Sequence, residues 1–120
     1  MKMLLIPTLF GLAGAALAAD PAPEAAKVDV KAAKELLAKT DCNACHLPRQ
    51  NGVGPSVKAI AKKIGNDEAA FKKAVEAVIK GYTGPTNYGA ATPTVVMPAH
   101  PTLSQADAEL LVRYYQQSGK

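Results

Sequence analysis

Tryptophan is absent from this chain, cysteine and histidine occur twice each, and aromatic residues make up 5% of its 120 positions. With so few reactive side chains, any chemistry has to come from one small cluster. No apolar run reaches the ~20 residues that cross a bilayer as a helix. Arginine-rich tracts are also missing. The formal charge of +4 and the pI near 9.1 come mainly from scattered lysines, without the dense basic stretch of a nucleic-acid binder. Neither an alternating strand pattern nor an internal repeat is found. Disorder is excluded by 48% hydrophobic against 20% charged residues.

The N-terminus reads as an address. Lys2 supplies a positive charge, Leu4 to Leu17 is apolar apart from Thr8, and Ala16-Leu17-Ala18 presents small residues for cleavage before Ala19. A retained anchor is disfavoured because the run is short and broken by Pro7, Gly11 and Gly14. The expectation is a cleaved secretory signal peptide at 1–18, export to the periplasm, and no membrane span in the mature chain. The first cysteine is Cys42, so no lipid anchor is indicated at the cleavage site. Export puts both thiols in an oxidising compartment, where a free pair needs an explanation beyond packing.

Residues 19–27, rich in Ala and Pro, read as a flexible leader, and 28–120 as one domain. Helical periods dominate that domain. Asp29 caps a helix whose inner face carries Val30, Ala33, Leu36 and Leu37. Ser56 starts a second, with Val57, Ile60, Ala61 and Ile64 inward and Gly65 as its stop. Asn66 or Asp67 caps a third, striped by Phe71, Ala74, Val75, Val78 and Ile79 and closed by Gly81. Ser104 opens the last, with Ala108, Leu111, Val112 and Tyr115 inward. Between Tyr82 and Thr102, four prolines and two glycines interrupt the period, and an ordered loop without regular structure is expected. The fold class is all-α, about four short helices. Alanine-rich helices with so few bulky side chains bury little area, so a large apolar group would help to fill the interior.

Cys42-Asn43-Ala44-Cys45-His46 is a C-x-x-C-H pentapeptide, the attachment signature of c-type haem. On a helical turn, residues i, i+3 and i+4 share a face. Two cysteines can therefore form thioethers to the haem vinyl groups while the histidine reaches the iron. The competing explanations are weaker. A redox C-x-x-C needs a strand before it, whereas a helix precedes this one. Zinc needs four ligands, and only His100 and scattered carboxylates remain. A disulfide between residues three apart would constrain little.

An electron-transfer haem takes a sixth ligand, Met or His. Once the signal peptide leaves with Met1 and Met3, Met97 is the sole methionine, held extended by Pro98. His100 is the rival, and it reads more simply as a solvent-exposed loop histidine.

The chain resembles the class I mono-haem cytochromes c, in particular the short bacterial members. The resemblance runs from about Val28 to Ser118 through CNACH, GVGPSVKAIAKKIG and VVMPAHP, in the family's order. It implies a helical fold around one haem with His46 and Met97 as axial ligands. It also implies that the Pro55 carbonyl accepts a hydrogen bond from His46 and that Tyr88 stands near a haem propionate. With no tryptophan available, Tyr88 and Tyr115 take positions where an indole is common, and His100 falls near a polar position close to the Met sulfur.

Lys58, Lys62, Lys63, Lys72, Lys73 and Lys80 cluster in the middle third. They read either as solvated helix surface or as a ring that steers acidic redox partner proteins to the haem edge. The expected function is a soluble monomeric periplasmic electron carrier, not an enzyme. Two alternatives stay open: a haem subunit of a larger oxidoreductase, and a ligand-binding or sensor haem with a labile sixth ligand.

Overall fold

The computed structural model describes residues 27–85 and 94–120. The signal segment, the leader before Lys27, and Tyr88 lie outside the described residues. Asp29 opens α1 (Val30–Lys39), its carboxylate accepting from the Ala32 amide at 3.0 Å and so satisfying one of the orphan donors of the first turn. Only Thr40 and Asp41 separate α1 from the single turn α2 (Cys42–Cys45). Ser56 Oγ accepts from Ala59 N at 3.0 Å at the start of α3 (Val57–Ile64). Asp67, not Asn66, caps α4 (Glu68–Lys80), and Ser104 caps α5 (Gln105–Ser118).

The segment after α4 differs from expectation. β1 (Tyr82–Pro85) and β2 (Thr94–Met97) pair antiparallel, with Tyr82 opposite Met97 and Pro85 opposite Thr94. Four residues are too few for a period-two pattern to show, and Val95, Val96 and Met97 are apolar in succession. Both strands of a two-stranded ribbon are edges, so the missing N–H of Pro85 is tolerated.

α5 lies against α1, α3 and α4 and organises the core. Ala108 and Val112 pack with Ile64, Phe71, Val75 and Val78, while Leu111 and Tyr115 pack with Leu37 and Val57. Ile60 and Leu103 touch both groups and join them. The expected inner faces hold except at Val30, the first residue of α1, which is 48% exposed. Gln116 is buried without being apolar. Its Nε2 donates to Gly65 O at 2.6 Å and its Oε1 accepts from Arg113 at 3.0 Å, so no polar atom is stranded.

Candidate functional site

The packing leaves a cavity of about 610 Å³, within the range of small-molecule and cofactor sites. Cys42, Cys45 and His46 line it from α2 and its C-terminal cap, Met97 from the end of β2, and Leu111, Val112 and Tyr115 from α5. α4 contributes Ala69, Ala70, Ala74 and Ala77. Side chains this small on a helix facing a core leave room for a bulky occupant.

Local backbone contacts set the His46 ring. After α2 the chain turns back, with Gly54 N donating to Cys45 O at 3.1 Å, Val57 N to Leu47 O at 2.8 Å and Lys58 N to Pro48 O at 3.1 Å. Asn51 Oδ1 accepts from Ser56 N at 2.9 Å. These bonds bring the Pro55 carbonyl to 2.8 Å from His46 Nδ1. A carbonyl can only accept, so Nδ1 carries the proton and Nε2 is left with a lone pair able to bind a metal. Tyr115 also lines the site, and its ring meets that of His46 edge-on at 6.0 Å. Its hydroxyl donates to Asn43 Oδ1 at 2.8 Å. Burial, with Cys42 nearby, pushes that hydroxyl far above its ordinary value and keeps it a donor.

His100 is not the exposed loop residue expected. Its side chain is only 18% exposed. Nδ1 lies 3.3 Å from Val78 O and Nε2 lies 3.0 Å from Asp41 Oδ1. Each ring nitrogen thus faces a protein acceptor: Nε2 donates to Asp41, and Nδ1 can donate to Val78 O as well only when the ring carries both protons. The hydrogen bond from His100, together with the backbone amide of Asp41, holds the Asp41 carboxyl below its ordinary value. Gly81 packs beneath the same segment at φ +81°, and a Cβ there would come within 2.9 Å of both Met97 O and Ala99 N.

The residues present suit a covalently held porphyrin: two thiols not joined to each other, an imidazole with a free Nε2 lone pair, a thioether and an alanine-walled cavity. A sequence model of the cytochrome c family matches residues 30–118. The chain belongs to the cytochrome c family. It is 38% identical over 78 residues to a cytochrome c2 of Rubrivivax gelatinosus, an alignment covering 65% of this chain and 87% of that one. Its fold is similar to the crystal structure of the class 1 cytochrome MtoD from Sideroxydans lithotrophicus ES-1. That match has a TM-score of 0.62 at 26% identity and covers 78% of this chain and 99% of the other. The protein is a class I cytochrome c, an electron-transfer protein that carries haem c on the Cys42/Cys45 pair and works with redox partners. Among the described residues no helix is long and apolar enough to cross a membrane.

The structure brings Cys42, Cys45, His46, Pro55 and Met97 to one cavity, while Tyr88 lies outside the described residues. Sequence reasoning did not single out Gly54, Asp41 or the Tyr115–Asn43 bond. Gly54 stood within the quoted GVGPS stretch, but the other two depend on contacts across 59 and 72 positions that carry no local signal.

Proposed function

We propose that this cytochrome c is a periplasmic one-electron carrier whose haem iron is held by His46 and Met97. The observation that supports it is the meeting of both side chains with Cys42 and Cys45 in one cavity. When bound, the haem supplies the ferric/ferrous couple. His46, fixed by the Pro55 carbonyl, offers Nε2 in a set orientation and gains donor strength from that bond. Met97 offers a thioether, which favours the ferrous state and raises the potential. Leu111, Val112 and the α4 alanines exclude water, so little rearrangement accompanies a change of charge. With two protein ligands on the iron no site is open to substrate, and the protein is a carrier, not an enzyme. The likeness to a cytochrome c2 supports this reading. The apolar run from Leu4 to Leu17 with Ala16-Leu17-Ala18 supports cleavage after residue 18 and export, leaving 19–27 as a leader to the domain at 28–120.

The mass of the secreted protein together with its visible spectrum tests the reading. One haem, cleavage before Ala19 and the weak far-red band of ferric Met-ligated haem are expected. Met97→Ala loses that band and His100→Ala keeps it. Carbon monoxide binding by the native ferrous protein at neutral pH would instead favour a labile sixth position.

A further inference from the structure

We propose that His100 is a positioning residue for Met97, a clamp that sets how firmly the thioether is held at the sixth position of the iron; the proposal rests on the His46–Met97 reading above. Besides the local turn in which its carbonyl accepts from Leu103 N at 3.1 Å, three contacts tie this residue to distant parts of the chain. Its backbone amide donates to Val78 O at 3.1 Å, ring Nδ1 stands 3.3 Å from the same oxygen, and ring Nε2 stands 3.0 Å from Asp41 Oδ1. Val78 belongs to α4 and lines the cavity, and Asp41 directly precedes the attachment cysteine Cys42. The exit of β2 is therefore tied to the helix that walls the cavity and to the turn that carries the haem. These ties span 22 and 59 positions, so no local turn substitutes for them.

The step from His100 to Met97 is short and stiff. Pro98 fixes one dihedral, and Met97 O and Ala99 N are pressed against Gly81, where even a Cβ would come within 2.9 Å of each. Slack introduced at residue 100 consequently appears at residue 97. The two ring nitrogens face Val78 O and Asp41 Oδ1, so His100 acts through the backbone it anchors. The two side-chain ties are unequal. Asp41 is 70% exposed, and ion pairs at the surface contribute little. The tie to Val78, made by the backbone amide as well as by the ring, is expected to carry the larger share.

Displacement of Met97 by added imidazole in the ferric holoprotein, followed by loss of the far-red band, measures the clamp. His100→Phe is expected to bind imidazole about tenfold more tightly than the native protein and Asp41→Ala about threefold. The double variant should match His100→Phe alone, because Asp41 works through His100. Global unfolding does not contribute, since the titration is run on folded protein under native conditions. A native protein without the band overturns the Met97 ligation and this proposal with it. A native protein with the band, whose two variants bind imidazole within about twofold of it, overturns this proposal alone. If His100→Phe yields no folded holoprotein, Asp41→Ala decides the matter, since its site is exposed: about threefold tighter binding supports the clamp and unchanged binding sinks it.

Discussion

Gly54 shows how little room surrounds the His46 imidazole. A Cβ on this residue would lie 2.9 Å from His46 Cε1 and 3.2 Å from Nδ1. Gly54→Ala should turn the ring away from Pro55 O, lower stability by about 1–3 kcal/mol and shift the reduction potential. Denaturant unfolding and redox titration of the holoprotein check both effects, and an unchanged potential would separate stability from ligand orientation. At Asp41 the sign of a pH effect can be worked out. Its carboxyl is held below the ordinary 3.8 chiefly by the hydrogen bond from His100, so the folded state binds fewer protons than the unfolded one in that range. Its stabilising contribution is full above the unfolded value and fades as pH falls through the folded one. Asp41→Asn is expected to flatten acid unfolding below about pH 4, measured as the thermal midpoint against pH.

Among elements, the helix starts were legible because capping is local. Asp29, Ser56, Asp67 and Ser104 each accept from an amide two or three residues on, a pattern contained in a few adjacent letters. Asp67→Ala should cost about 1 kcal/mol in denaturant unfolding. The end of α5 is a harsher site. A Cβ on Gly119 would fall 2.5 Å from Val57 O and 2.7 Å from Ala61 Cβ, where α5 closes on α3. Gly119→Ala is therefore expected to destabilise more than loss of the cap, by about 1–3 kcal/mol, in the same measurement. The ribbon was not legible. Its strands are short, meet only through non-local pairing and show no alternation, so the prolines and glycines around them read as loop.

For the whole molecule, tertiary packing divides the lysines that sequence places together. Lys63 and Lys73 line the haem cavity, whereas Lys58 and Lys62 border a separate hollow with Lys120, and Lys80 pairs with Glu76 at 2.7 Å. If steering by charge matters, Lys63→Glu and Lys73→Glu should slow reaction with an acidic redox partner several-fold at low salt. Lys58→Glu and Lys62→Glu should matter less, and the rates should converge as ionic strength rises. Stopped-flow reduction across a salt series checks the ranking.

The sequence alone determined the attachment chemistry and most helix boundaries, because CNACH and the caps work within one turn of chain. Only the folded molecule decided that Met97 reaches the cavity of Cys42 and Cys45, that β1 finds β2, and that His100 closes on Asp41. Those are meetings of distant segments, selected by how α5 gathers the helices around it, and no short window of residues encodes them.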